Sequence, residues 1–100
     1  MQSVFLEILI RIADLANSEV ESRDEIDDPL HDALTDASIG EVSGGGSGMG
    51  LINIDVDIYD QAYVKDALAI IRDVLQQVRV PRSTVIKQHD PVELAYAVYE

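Results

Sequence analysis

Residues 51–59 read LINIDVDIY, and apolar and polar side chains alternate through the stretch. Ile52, Ile54, Val56 and Ile58 fall on one side, while Asn53, Asp55, Asp57 and Tyr59 fall on the other. Successive side chains of a strand point to opposite faces, so this period of two specifies a strand with one buried and one wet face. A helix would smear the same branched residues around its circumference. Residues 4–12 repeat the pattern, with Val4, Leu6, Ile8, Ile10 and Ile12 set against Phe5, Glu7, Leu9 and Arg11. Both apolar faces need a cover, and 100 residues supply one sheet and about two helices in a single domain, residues 1–100.

The covers are found between and after these strands. Asp28-Pro29 reads as a helix start: Asp offers a capping oxygen, and proline loses only an N–H that has no partner in the first turn. Leu30, Ala33, Leu34 and Ala37 follow at helical spacing, and Gly40 is expected to take the left-handed position after the helix ends. Residues 14–28 look like an acidic loop with one weak helical turn. The second helix, over about 61–78, is capped by Asp60 and carries Val64, Ala67, Leu68, Ile71, Val74, Leu75 and Val78 as one stripe. Val80-Pro81 stops it, because a residue before proline avoids helical geometry.

All six glycines lie in residues 40–50. A short strand at Ile39–Ser43 and the strand at 51–59 flank them, so the tract reads as a hairpin with a mobile glycine tip. Thr84–Gln88 reads as another strand. The tail after Asp90-Pro91 fits both a capped helix and an alternating strand, and a short turn followed by a strand over about 94–99 is the better match. The order β-α-β-β-α-β, with one optional further strand, specifies an α+β fold of the ferredoxin-like split β-α-β kind. It places two helices on one face of an antiparallel sheet. The open face then holds Phe5, Glu7, Leu9, Arg11, Asn53, Asp55, Asp57 and Tyr59.

Nineteen acids against seven bases give a net charge of −12. Residues 1–50 hold eleven acids and two bases, a net of −9. A field of this sign repels nucleic-acid phosphates and anionic lipid and attracts basic partners. Absence of cysteine excludes disulfides and thiolate chemistry. The apolar run 4–10 has no basic residues before it and is broken by Glu7, so it does not read as a leader, and a cytoplasmic address is expected.

No motif specifies catalysis or a cofactor. The glycine tract is followed by a strand rather than a helix and lacks Gly-Lys-Ser/Thr, so it does not cradle phosphate. Asp55, Asp57 and Asp60, joined by Glu7, offer oxygens to a divalent cation, but without the spacing of an EF-hand, and Arg11 is placed to neutralise them. As an acid–base pair these carboxylates would need a pocket that separates their pKa values, which an open sheet face does not supply. His31 and His89 have no companion at metal-ligand spacing and read as surface or cap residues. Serines 38, 43 and 47 do not form a nucleophile elbow.

Leu30–Leu34 with the run GEVSGGGS at 40–47, and Asp60 through Ile71-Arg72 to the run VPRSTVI at 80–86, resemble a group of small uncharacterised bacterial proteins with a GEVSGGGS-like hairpin. The resemblance covers about two-thirds of the chain and bears on fold, not activity. In general style the chain is similar to immunity proteins that neutralise bacterial toxins. Three functions follow as expectations. The first is a non-catalytic acidic interaction module of the immunity-inhibitor type, acting on a basic toxin or nuclease, with a carboxylate surface from Glu19 to Asp36. The second is a structural homodimer paired through the open face or the terminal strand, and the third a metal-binding or enzymatic domain using Asp55, Asp57 and Glu7. The expected interaction surface is Glu7, Arg11, Asn53, Asp55, Asp57 and Tyr59, with a protein partner or a second copy and no cofactor.

Overall fold

The apolar sides of 4–10 and 52–58 meet in the same layer, whereas Ile12, expected on the buried face, lies beyond the first strand in the next helical turn and is exposed. A computed structural model of the chain describes residues 3–15, 24–90 and 93–99. Strands β1 (Val4–Arg11) and β3 (Leu51–Ile58) pair antiparallel, with Leu6 opposite Val56, Ile8 opposite Ile54 and Ile10 opposite Ile52. Helices α2 (Asp24–Asp36) and α3 (Val64–Val78) pack side by side over this apolar face, and a four-residue α1 (Ile12–Leu15) follows β1. Strands β2 (Gly40–Gly48), β4 (Val85–Asp90) and β5 (Leu94–Ala97) complete a five-stranded sheet of order β2-β3-β1-β4-β5. Every neighbouring pair is antiparallel. β3 lies between β2 and β1, and β1 between β3 and β4, which is the interleaving of two split β-α-β units in a ferredoxin-like α+β fold.

One aliphatic cluster fills the space between the layers. Leu6, Ile8 and Ile10 of β1, Ile54, Val56 and Ile58 of β3, and Ile86 of β4 are fully buried against Ile26, Leu30 and Leu34 of α2 and Ile71 and Leu75 of α3. Deleting one such side chain to alanine costs about 2–5 kcal/mol, a large share of the stability of a domain this size.

Four further expectations are corrected. Helix α2 begins at Asp24, so Pro29 lies inside it rather than at its start. Proline there removes one helical hydrogen bond, and the extra turn is held by burial of Ile26 and by Asp24, Glu25 and Asp27 at the positive end of the helix dipole. Second, Ala37 is exposed and lies beyond the helix, whose stripe is Ile26, Leu30 and Leu34.

Third, the left-handed residue after α2 is Ser38, not Gly40. Ser38 has φ 59°, its N–H bonds Thr35 O, and Ile39 N–H reaches Leu34 O, the paired bonds of a Schellman ending. Gly40 is required for a different reason. A β-carbon there would stand 2.6 Å from Asp57 O and 2.8 Å from Ile58 Cδ1. Arg79, at φ 65°, closes α3 in the same manner as Ser38 closes α2.

Fourth, the glycine tract is strand, not hairpin tip. β2 runs through it, Gly44 pairing with Asp55, Gly45 with Ile54, Gly46 with Asn53 and Gly48 with Leu51. A bulge between Val42 and Gly44 shifts the register. Only Met49 and Gly50 form the turn, with φ 52° and 78°, and two positive φ values are what a two-residue type I′ turn needs.

Asp60 caps the second helical element as expected, its Oδ1 accepting from Ala62 N–H at 3.1 Å, and one 3₁₀ turn (Gln61–Tyr63) leads into α3. The tail is a strand. β5 pairs with β4 and covers that edge, and α3 clasps the residues around its end: Arg72 Nε donates to Ala97 O and Gln76 Nε2 to Val98 O. The Tyr99 hydroxyl donates to Val80 O at 2.7 Å. Among the described residues no helix is long and apolar enough to cross a membrane.

Candidate interaction surface

The helices cover one face of the sheet, and among the described residues no element covers the other. Because β1 and β3 alternate in register, their outward residues form cross-strand rows. Phe5 stands opposite Asp57, Glu7 opposite Asp55, Leu9 opposite Asn53 and Arg11 opposite Leu51. β4 extends these rows with Lys87 opposite Glu7 and Val85 opposite Leu9. On the other side β2 sets Glu41 opposite Asp57, then Gly44 opposite Asp55 and Gly46 opposite Asn53.

Of the expected surface residues, Glu7, Asn53, Asp55 and Asp57 therefore come together on neighbouring strands, each half-buried. Arg11 does not join them. It lies at the far end of β1 beside Leu51, exposed, and its Nε is 4.0 Å from Asp14. The basic residue set against Glu7 is instead Lys87 of β4, its cross-strand partner, and His89 Nε2 lies 2.9 Å from Glu7 Oε1. Tyr59 follows directly on β3, and its side chain is exposed. Glu19 and the adjoining acids of residues 16–23 lie outside the described residues.

Glu41, Lys87 and His89 were missed as members of this face. The alternation of β4 holds the signal for two of them: Ile86 and Gln88 point inward, so 85, 87 and 89 point outward. The bulge of β4 against β1 turns His89 onto Phe5, with ring centroids 5.7 Å apart. For Glu41 the sequence hint was weaker, since a glycine-rich strand shows no period.

Two pairs dominate the electrostatics of the face. Glu7 and Asp55 are like charges directly opposite each other, and so are Glu41 and Asp57. Such pairs destabilise a sheet by about 0.2–1 kcal/mol each. Local contacts temper one of them, since Asp55 Oδ1 accepts from Asn53 Nδ2 at 3.2 Å while Glu7 meets His89. Among the described residues no three His, Asp or Glu side chains converge to hold a metal ion. The arrangement is suited to binding cationic groups along a surface, with aliphatic and aromatic contact from Phe5, Leu9 and Val85 beside them.

His31 is a cap rather than a ligand. Its Nδ1 accepts from Val42 N–H at 3.2 Å, tying α2 to β2. Next to this contact Asp27, Asp28 and Asp32 join His31 and Val42 around a hollow of about 450 Å³.

Fold and surface define a class: a ferredoxin-like α+β domain with a carboxylate-bearing sheet face opposite its helices. No protein-family model matches the chain, and no curated protein is significantly similar to it.

Proposed function

We propose that the domain is a non-catalytic acidic interaction module that binds a basic protein, in the manner of an immunity-type inhibitor of a basic toxin or nuclease acting in the cytoplasm. The observation that carries this reading is the two like-charge pairs, Glu7 with Asp55 and Glu41 with Asp57, set side by side on the sheet face opposite the helices. A fold seeking stability alone places opposite charges or neutral groups at such positions. Cationic side chains of a partner would relieve this repulsion on binding. The net charge of −12 would raise the association rate through steering, an effect that salt screens.

The test is capture of partners from the native host on the immobilised domain at low and high ionic strength, beside the triple variant Glu7→Gln/Asp55→Asn/Asp57→Asn. A basic partner that is held at low salt, weakened by salt and lost with the triple variant supports the proposal. A partner retained equally by the triple variant and at high salt overturns it.

A second reading, a structural homodimer, draws on Phe5, Leu9 and Val85 lying among the acids on the same open face. Light scattering separates the two, since a species of 11.0 kDa at high concentration excludes a stable dimer.

A further inference from the structure

Among the described residues β2 ends the sheet, with β3 on one side and no strand on the other. An edge strand presents a row of backbone N–H and C=O groups, and proteins normally guard it with lysine, proline, inward charge or a covering element. The only such devices on β2 stand at its beginning: Glu41, the bulge at Val42, and His31 holding Val42 N–H. From residue 43 to 48 the strand is SGGGSG, mostly exposed, and carries no charged or bulky side chain. Four glycines in this length cost stability, since glycine weakens a strand interior. What they provide is access, because with no side chain at Gly44 and Gly46 the Asp55 and Asn53 side chains of β3 can be reached from beyond the edge. A β-carbon at Gly44 would stand 3.6 Å from Asp55 Oδ2, and one at Gly46 would stand 3.6 Å from Asn53 Oδ1.

We infer that the free edge of β2 over residues 43–48 takes up an extended basic segment of the partner as a sixth strand, its cationic side chains passing over Gly44 to Asp55 and meeting Glu41 where β2 begins. This rests on the proposed acidic module and adds its mode of recognition. Main-chain pairing supplies affinity and alternate side chains supply selectivity, as in other strand additions. Charge decides the occupant. Glu41, Asp55 and Asp57 border the edge, and the hollow formed by Asp27, Asp28 and Asp32 opens where β2 begins. A second copy would bring another −12 against them.

The probe is a capped peptide of about eight alternating lysine and valine residues, titrated into the isotope-labelled full chain at low salt. Two further peptides carry N-methyl groups, one on every valine and the other on every lysine. Strand addition predicts saturable amide shifts centred on residues 43–48. It also predicts that one of the two methylated peptides, the one whose edge-facing N–H groups are blocked, binds at least about tenfold more weakly, the loss of one or two hydrogen bonds. Gly46→Val, whose β-carbon makes only ordinary contacts, should weaken binding similarly with a melting temperature no lower than that of the parent chain.

Equal binding of all three peptides, with shifts on β1 and β4 instead, overturns the strand addition and leaves the acidic module standing. No binding by any of them at about 1 mM overturns both. Shifts of residues 43–48 that grow with protein concentration alone assign the edge to a second copy and overturn the inference.

Discussion

Gly40 and Gly48 begin and end β2, and a β-carbon would meet quite different surroundings at each. At Gly40 it would press on the Asp57 carbonyl and the Ile58 side chain, whereas at Gly48 it would meet nothing within 4 Å. Gly40→Ala should therefore cost about 1–3 kcal/mol through overpacking, and Gly48→Ala should be neutral within about 0.5 kcal/mol. Urea unfolding of both variants checks this, and equal costs would contradict the close approach of β2 to β3. The opposed carboxylates give a prediction of the other sign. Glu41→Gln or Asp55→Asn should raise stability by about 0.2–1 kcal/mol while weakening a basic partner, which is the signature of residues kept for binding. A loss of stability in both would show that attractive contacts of these carboxylates outweigh the repulsion. At this scale the face was largely legible, because Glu7, Asp55 and Asp57 share the outward parity of their strands. Gly40 was not, because glycine marks a turn by habit, and only packing reveals that here it allows two backbones to touch.

At the scale of elements, the strands with branched residues could be read and those without could not. β1 and β3 declare themselves by alternation, and α3 by a stripe that all seven of its expected positions uphold, five buried and two half-buried. The start of α2 was hidden by Pro29, which as a rule begins a helix; the deciding term was Ile26, whose burial is a tertiary effect. The beginning of β2 could be read as a strand, but its glycine tract looks like a hairpin tip, because glycines carry no hydrophobic period at all. The Schellman endings show what a sequence can conceal and what it costs. Ser38 holds a left-handed conformation that glycine adopts without penalty, so Ser38→Gly should stabilise the domain by about 0.5–1 kcal/mol. A higher urea midpoint with an unchanged slope would confirm this, and a lower midpoint would refute it. The tail can be tested as directly. Tyr99→Phe removes the bond to Val80 O beneath a guanidinium, Arg82, that lies 5.0 Å from the Tyr99 ring centroid. Because Val80 is buried, the loss should be about 1–2 kcal/mol. Amide exchange would then speed up first in β5, whereas unaltered exchange there would mean the hydroxyl does not hold the tail.

Across the whole molecule the excess of acid opposes the cohesion of the core. Lys87 stands opposite Glu7, but Glu41 of β2 and Asp57 of β3 oppose each other, and six acids lie from Asp24 to Asp36 in α2. Self-repulsion of this kind weakens the compact state more than the expanded one. Screening shortens its range from about 30 Å at 0.01 M salt to well under 10 Å at 0.5 M. The melting temperature should therefore rise as sodium chloride is added over that interval. A relief of about 1 kcal/mol corresponds to roughly 4–8 °C in a domain of this length. Chloride is the right choice, because sulfate would also strengthen burial and mix the two effects. The triple variant Glu7→Gln/Asp55→Asn/Asp57→Asn should begin at a higher melting temperature and respond less to salt, since part of the repulsion is already gone. A melting temperature that falls with salt would mean attractive pairs outweigh the repulsive ones. The acids would then be working to hold the fold together, and would not be held in reserve for a cationic partner.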